Sequence, residues 1–361
     1  GKVAVTAEIK DAAEAVKNAE NAMVLFGSEG LGLEGSAALA QACANLLLVT
    51  NHTGRANNGL IGVWSRANDQ GAYEIGLRPL SDLMGAIQNA KALYVAGADP
   101  AGDDPALVDA IKSTGFLVVQ ELFLTETAKL ADVVLPVLPF TEREGSFTSG
   151  ERRVQRFYPA VLAKGEARAD FMITGQISQL AGVQTETNSA ARVFTQLAAK
   201  VSAFNGLTFR QLAQVHEQWP LVGRSDVYYG GTAYDNQQGL GAHLPPAGVV
   251  PVQNYSSAAA QGVPEGELLA VPITRLYDHG VTIAATELLG QRIPQPYVTI
   301  HPAEAERLGL VGAAQVVIRL GESLFAASLR LDQSLPVGIV LIPRSLGIPV
   351  HAPVAIALAA A

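Results

Sequence analysis

The sequence predicts an α/β protein in which a doubly wound, mostly parallel sheet comes first and a β-barrel follows. Three observations support this fold class. Short apolar runs alternate with helical patterns in the first part of the chain, as in parallel sheets that are covered by helices. Glycine-containing turns follow two of these runs, at the junction of strand and helix. The last part of the chain contains several short strands separated by Gly and Pro, which is typical of a compact barrel.

The first strand–turn–helix unit lies near the start of the chain. Residues 8–19 have the spacing of an amphipathic helix, and Ala22–Phe26 is a continuous apolar run expected of a buried strand. The turn Gly27–Gly32 follows, and residues 36–47 form the next predicted helix. Such a turn could place a helix N-terminus against a phosphate. Its glycines do not have the G-x-G-x-x-G spacing, so a tight structural turn is the favoured interpretation.

The next elements repeat this alternation more clearly. The predicted strands are 92–96, 116–120 and 133–135, and the predicted helices are 105–113 and 125–130. Strands at this spacing predict right-handed crossovers in one sheet. The turn after the first of these strands contains Gly97, Asp99 and Pro100, and Asp103 or Asp104 can cap the following helix. A structural turn is the favoured interpretation, and a contact with a cofactor's ribose or guanine is the alternative.

The remaining segments complete the predicted domain organisation. Residues 170–181 and 190–201 have helical patterns, whereas residues 219–265 are rich in Gly, Pro, Asn, Gln and Ser and predict a linker or long loop. The predicted barrel elements are the strands 297–300, 315–319, 324–331 and 338–343 and the short helix 302–308. The apolar tail 354–361 is expected to be a packed or frayed terminus. The predicted domains are therefore 1–218 for the α/β part and 266–361 for the barrel.

Composition narrows the function classes. The 361 residues are 49% hydrophobic and only 16% charged, with a net charge of −8, so nothing favours binding to nucleic acid or to an anionic membrane surface. No apolar run approaches the roughly 20 residues of a spanning helix, and no direct membrane insertion is predicted. The single cysteine, Cys43, excludes an internal disulfide framework and a cysteine-ligated iron–sulfur cluster. No metal-spaced histidine cluster and no Ser-His-Asp arrangement appears, so neither metal ligands nor catalytic residues are predicted.

The most informative segment runs from Glu126 to Arg156. It reads ETAKLADVVLP, then EREGSFT, then ERRVQR. This ordered run resembles the molybdopterin oxidoreductase superfamily, which includes formate dehydrogenases, nitrate reductases and the large iron–sulfur subunit of respiratory complex I. Residues 297–305, which read YVTIHPAEA, are similar to the barrel of that family. The resemblance covers residues 20–182 and 268–345, and it implies a double-psi barrel that closes over a pterin guanine dinucleotide in active members.

Within the family, residues 51–60 favour complex I. They read NHTGRANNGL and are similar to an Asn- and Gly-rich stretch of the complex I subunit, in which the fold persists without a molybdenum cofactor. Together with the lone cysteine, this predicts a structural region that binds no cofactor and supports electron transfer from NADH to quinone. The iron–sulfur clusters and FMN would lie elsewhere in the complex, and the partners would be other peripheral-arm subunits. The expected location is peripheral, on the cytoplasmic side of the bacterial inner membrane.

One departure keeps an alternative open. Arg152 stands where complex I subunits often have Gly, and this form is closer to formate dehydrogenases. The alternative is the C-terminal cofactor-binding part of an active, formate-dehydrogenase-like enzyme that holds molybdopterin guanine dinucleotide. The cofactor would then be gripped by Gly97, Asp99, Pro100, Arg152 and Arg153; otherwise the arginines would pair with carboxylates. A stand-alone nucleotide-binding domain is a third hypothesis, against which the imperfect glycine pattern argues.

Overall fold

The computed structural model describes residues 4–27, 29–54, 57–214, 241–245, 251–252 and 262–361, so most of the predicted linker 219–265 lies outside the described residues. The α-helices are α1 (Ala7–Asn18), α2 (Gly32–Val49), α3 (Asp69–Glu74), α4 (Leu83–Gln88), α5 (Pro100–Asp103), α6 (Val108–Lys112), α7 (Asp170–Leu180), α8 (Ala190–Lys200), α9 (Phe209–Leu212), α10 (Val281–Ala284), α11 (Glu287–Gly290) and α12 (Pro302–Arg307).

The strands occur along the whole described chain. They are β1 (Met23–Phe26), β2 (Gly59–Gly62), β3 (Leu93–Ala96), β4 (Leu117–Glu121), β5 (Val133–Pro136), β6 (Gly145–Thr148), β7 (Arg153–Phe157), β8 (Ala242–His243), β9 (Leu268–Ile273), β10 (Tyr297–Ile300), β11 (Gln315–Leu320), β12 (Ser323–Leu331), β13 (Ile339–Pro343) and β14 (Val354–Ala360). The predicted helix 125–130 is reduced to a 3₁₀ turn at Ala128–Leu130. The reason is a tertiary contact, because the backbone N–H and hydroxyl of Thr127 bond to Asp99, 28 residues earlier in the chain.

Contacts between residues divide the chain into two compact units. The first unit comprises the described residues within 1–27, 37–79 and 138–256. The second unit comprises those within 28–36, 80–137 and 257–361. The chain therefore passes between the units several times, which composition shifts along a sequence do not reveal. The predicted domain boundaries near residues 218 and 266 stay a prediction.

The first unit contains a parallel pair and an antiparallel sheet. Strands β1 and β2 pair in parallel, and β6, β7 and β8 form the antiparallel sheet. Helix α9 contacts β7 and helix α8 contacts β6, around a buried core that includes Val154, Phe194, Phe209 and Leu212. The side chain of Ser189 caps α8 by accepting a hydrogen bond from the Arg192 N–H. This packing fixes the start of β7, which immediately follows Arg152.

The α/β part of the second unit is a three-stranded parallel sheet in the order β3-β4-β5. Helices α4 and α6 pack on one face, where Ile87, Val95, Ile111 and Val119 are buried. Because the strands are parallel and in register, their carboxyl ends lie at the same edge. The turns that follow β3 and β4 therefore meet there, as expected for sites in α/β proteins.

The second unit also contains a closed barrel of six strands in the order β10-β12-β11-β14-β9-β13. Its interior is formed by fully buried aliphatic side chains, which include Val298, Ile300, Ile318 and Ile342. The tail that was expected to be packed or frayed is β14, which pairs with both β11 and β9 and closes the barrel. The mixed α/β content and the barrel are confirmed, whereas the doubly wound arrangement and the double-psi topology stay predictions.

Two glycines of the turn Gly27–Gly32, Gly30 and Gly32, have a packing role in the second unit. Gly30 has φ +74°, and a Cβ built there would lie 2.6 Å from Cγ1 of Val271 in β9. Gly32 has φ +66°, and a Cβ there would lie 2.9 Å from Cβ of Ala352. In the same turn, the Glu29 carboxylate accepts hydrogen bonds from the backbone N–H and the hydroxyl of Thr274. Close approach to the barrel is therefore sufficient to explain these glycines.

A Gly30→Ala substitution is expected to lower the free energy of unfolding by about 2 kcal/mol. It would place alanine in a left-handed backbone conformation, which is strained, and would bring its Cβ into a clash with Val271. Gly54→Ala is a suitable control, since Gly54 also has a positive φ of +72° but has no heavy atom within 4 Å of a built Cβ. Urea denaturation of the two variants would separate the clash from the backbone strain. Equal losses in both variants would contradict the packing explanation.

Helix α2 is long and apolar for a surface element. By length and composition alone it passes the test for a membrane-crossing helix, with a mean hydropathy of 1.3 and 6% of that window buried. Core helices and signal sequences pass the same test, so the finding is weak support for a membrane span. The predicted lack of direct membrane insertion therefore stays a prediction.

Candidate functional site

The carboxyl edge of the parallel sheet in the second unit is the candidate site. Strand β3 ends at Ala96 and leads into Gly97, Asp99 and Pro100, the three residues predicted there from sequence. Gly97 has φ +62°, a conformation that favours glycine, and its N–H donates to the Gln120 carbonyl 3.0 Å away. A Cβ built on Gly97 would meet no heavy atom within 4 Å. The backbone of this turn is therefore open to a ligand that approaches closely.

The Asp99 carboxylate is the centre of a hydrogen-bond network beneath the turn. Its Oδ1 accepts from the N–H of Gly102 at 3.3 Å, which caps α5. The same oxygen accepts from the backbone N–H of Thr127 at 2.8 Å and from the Thr127 hydroxyl at 2.7 Å. Oδ1 of Asp104, in turn, accepts from the Ala106 N–H at 2.9 Å, as predicted for a helix cap in this segment. These contacts give the turn a defined conformation.

A cavity of about 700 Å³ opens beside the turn, entirely within the second unit. The volume lies in the range typical of ligand pockets, roughly 300–1,000 Å³. Its walls are mostly apolar, with a few carboxylates and one histidine, and are formed by Ser81, Asp82, Leu83, Met84, Ile87, Leu93, Tyr94, Val95, Ala96, Ala98, Pro100, Asp103, Asp104, Leu107 and His351. His351 Nε2 lies 3.8 Å from Oδ2 of Asp104. The cavity thus combines apolar walls with hydrogen-bond acceptors.

Glu121 is a further buried acid at the end of β4. Glu121 is 5% exposed, and its Oε1 accepts a hydrogen bond from the Leu122 N–H at 2.6 Å. Burial raises the pKa of Glu121 above its usual range, and the negative charge of Asp99 raises it further. The carboxyl edge therefore carries a buried acid that holds its proton to a higher pH than a carboxyl group in water does.

Arg152 and Arg153, the other predicted cofactor contacts, lie in the first unit. Arg152 Nε and Nη2 donate to Glu74 Oε1 and Oε2, at 2.7 and 3.1 Å, and Nη1 donates to the Pro245 carbonyl at 2.6 Å. Arg153 Nε donates to Glu151 Oε1 at 2.7 Å, and Nη2 donates to Nε2 of His243. Both guanidinium groups are therefore engaged with groups of this chain, and their predicted contact with phosphate stays a prediction.

The environment of His243 is consistent with this pairing. Burial lowers the pKa of His243 below its usual range, and the positive charge of Arg153 lowers it further. A neutral imidazole can accept the hydrogen bond from Arg153, whereas a protonated one cannot. The pair is thus arranged for a neutral histidine near pH 7.

Sequence reasoning found part of this site and missed part of it. Gly97, Asp99 and Pro100 are brought together because they are neighbours in the chain. The sequence predicts no role for Thr127, although this residue lies in the segment from Glu126 to Arg156, and predicts none for His351. The signal for Thr127 was the threonine-rich stretch directly after a buried strand, where short polar side chains cap turns. No local signal points to His351, whose place depends on the tertiary fold.

Comparisons with known proteins support one family. The sequence pattern of the molybdopterin oxidoreductase family matches residues 3–180. The F420-dependent formate dehydrogenase 2 subunit alpha of Methanococcus maripaludis is 28% identical to this chain over an alignment of 376 residues. The alignment covers 92% of this chain and 54% of that protein. This relative therefore aligns with segments of both compact units. The chain spans about half the length of this relative.

Two further relatives show the range of the family. The alpha subunit of the NADPH-Fe(3+) oxidoreductase of Geobacter sulfurreducens is 26% identical, over 93% of this chain and 40% of that protein. Formate dehydrogenase H of Escherichia coli is 26% identical, over 63% of this chain and 37% of that protein. Both names describe oxidoreductases.

These findings correct three predictions. The assignment to a structural region of respiratory complex I is wrong, since the relatives include formate dehydrogenase alpha subunits and favour the alternative hypothesis. The prediction that this chain binds no cofactor is wrong, since the family and these relatives point to a molybdopterin cofactor. The predicted partners, the peripheral-arm subunits of complex I, are wrong for the same reason. The inference relied on the single cysteine and on residues 51–60, and neither feature distinguishes a cofactor-free chain from one that spans about half the length of its relatives.

Proposed function

We propose that this chain, as a member of the molybdopterin oxidoreductase family, is the cofactor-holding part of an active enzyme of the formate dehydrogenase type. The match of the family's sequence pattern over residues 3–180 supports this premise. The observation that carries the proposal is the similarity to a formate dehydrogenase alpha subunit over 92% of the chain. The partners are then other subunits of a formate dehydrogenase. The location on the cytoplasmic side of the membrane stays a prediction.

The cavity beside the Gly97–Pro100 turn fits the guanosine end of a molybdopterin guanine dinucleotide. Guanine presents two N–H donors on one edge, and the carboxylates of Asp103 and Asp104 at the cavity wall are acceptors. The apolar walls suit the faces of a purine, and the open backbone at Gly97 leaves room for a ribose. Carboxylates repel phosphate, so the nucleoside fits this cavity better than the pyrophosphate does.

The chain's own residues would bind and orient the group. Asp104 would accept from guanine, and His351, 3.8 Å away, would limit how far that carboxylate turns. Apolar side chains such as Ile87 and Leu107, both buried, would keep water from the base. When bound, a molybdopterin cofactor supplies the redox metal that takes two electrons as formate is oxidised to carbon dioxide and a proton.

The test uses the full-length gene product, expressed anaerobically in a host that makes the cofactor. We expect the purified protein to contain stoichiometric pterin, measured by fluorescence after oxidation, and molybdenum or tungsten, measured by mass spectrometry. We also expect formate-dependent reduction of a viologen dye. Pterin without formate oxidation would overturn the substrate and leave the cofactor assignment. A folded protein without pterin would overturn the proposal as a whole.

A further inference from the structure

We propose that Thr127 is a positioning residue that holds the Gly97–Pro100 turn in the shape that lines the cofactor cavity. The inference rests on the proposed function, because it concerns retention of the nucleoside end of the same cofactor. Thr127 does not touch a ligand itself. Its side chain has 0% exposure and lies behind the turn, whereas Ala98 and Pro100 form the cavity wall.

The Thr127 hydroxyl makes two hydrogen bonds in series. It donates to Asp99 Oδ1 at 2.7 Å, and its oxygen accepts from the N–H of Ala101 at 2.9 Å. Its backbone N–H adds a third contact, also to Asp99 Oδ1, at 2.8 Å. Because Asp99 and Ala101 flank Pro100, these bonds hold both sides of that residue. Thr127 follows β4, so they tie together the turns after two adjacent parallel strands.

These contacts change the role expected for Asp99. Its Oδ1 already accepts from two N–H groups and one hydroxyl, which is a full set of partners for a carboxylate oxygen. This oxygen of the side chain that sequence suggested as a cofactor contact is thereby committed to groups within the protein. Asp99 then acts through the shape of the turn, and Thr127 is the residue that keeps it there.

Thr125 offers a matched control in the same segment. It is also a threonine, with 9% exposure, and its hydroxyl accepts from the Ala128 N–H at 3.2 Å. That bond stays within the loop after β4 and does not reach Asp99. Replacing either threonine by valine removes a buried hydroxyl, but only the change at Thr127 releases the Gly97–Pro100 turn.

The experiment compares Thr127→Val, Thr127→Ala, Thr127→Ser and Thr125→Val in the full-length protein. Each is purified with its cofactor, and the rate of pterin release after dilution is followed by fluorescence, beside Tm by calorimetry. We expect release about tenfold faster for Thr127→Val and Thr127→Ala, the effect typical of one lost hydrogen bond to a charged group. Thr127→Ser, which keeps the hydroxyl, should retain pterin like the wild type. Thr125→Val should lower Tm without faster release.

The outcomes separate the inference from the function on which it rests. A wild-type protein without pterin would overturn the proposed function. Pterin in the wild type with equal release rates in Thr127→Val and Thr125→Val, at equal Tm, would overturn the positioning role alone. Failure of both Thr127→Val and Thr127→Ala to fold, when Thr125→Val folds, would also count against it, because the network would then serve the fold and not the ligand.

Discussion

Replacement of Ile300 by alanine is expected to lower the free energy of unfolding of the barrel by about 4 kcal/mol. Ile300 lies in β10 with 0% exposure, in the centre of the barrel interior. Its strand pairs with β12 on one side and with β13 on the other, so the backbone cannot move to fill the space. Loss of buried methyl groups plus an unfilled cavity costs about 2–5 kcal/mol, and a closed barrel favours the upper part of that range.

The measurement is urea denaturation, with hydrogen exchange to assign the loss to barrel amides. Leu324→Ala, in β12 of the same barrel, is the control, because Leu324 is 67% exposed. Its expected effect is within about 0.5 kcal/mol, as for surface substitutions in general. Similar losses in the two variants would show that Ile300 does not occupy a closed interior.

The barrel also shows what sequence patterns can and cannot reveal. The strands β10, β11 and β12 were predicted within one or two residues, because their apolar residues alternate or run together between Gly and Pro. Strand β9 was missed, since Pro272 interrupts an apolar run and disfavours a strand. Strand β14 is rich in alanine, which has low strand propensity. It is held as a strand by antiparallel pairing with β11 on one side and β9 on the other.

The candidate site was predictable only where it is local. The Gly97–Pro100 turn stands out because glycine, aspartate and proline each favour a turn for a physical reason of their own. The partner of Asp99 is Thr127, which lies 28 residues further along, and the position of that contact depends on β3 and β4 being neighbours. His351 comes to Asp104 from the end of the chain, through the packing of the second unit. Neither contact leaves a periodic trace in the sequence.

Arg152→Ala is expected to destabilise the protein by about 3 kcal/mol, and Arg152→Gly by about 1 kcal/mol less. Both variants leave the Glu74 carboxylate, 12% exposed, without its two bonds from the guanidinium group. They differ at the backbone, because Arg152 has φ +63°, which strains alanine but not glycine. Urea denaturation near pH 7 measures the three proteins. Equal stability of the two variants would show that the backbone at this position is not strained.

The loss of unfolding free energy caused by Arg152→Ala should also depend on pH, and the pKa of Glu74 determines the direction of this dependence. Burial raises the pKa of Glu74, but hydrogen bonds from Arg152 and Gln70 outweigh that effect and hold the pKa below its usual range. A carboxylate with a lowered pKa stabilises the folded state above the pKa of the unfolded chain, about 4.3, and this stabilisation is lost as the pH falls through the folded value. The difference between wild type and Arg152→Ala should therefore be constant above about pH 5 and shrink below about pH 4. A difference that stays the same down to acid unfolding would show that the bidentate pair with the ionised Glu74 carboxylate does not contribute to stability.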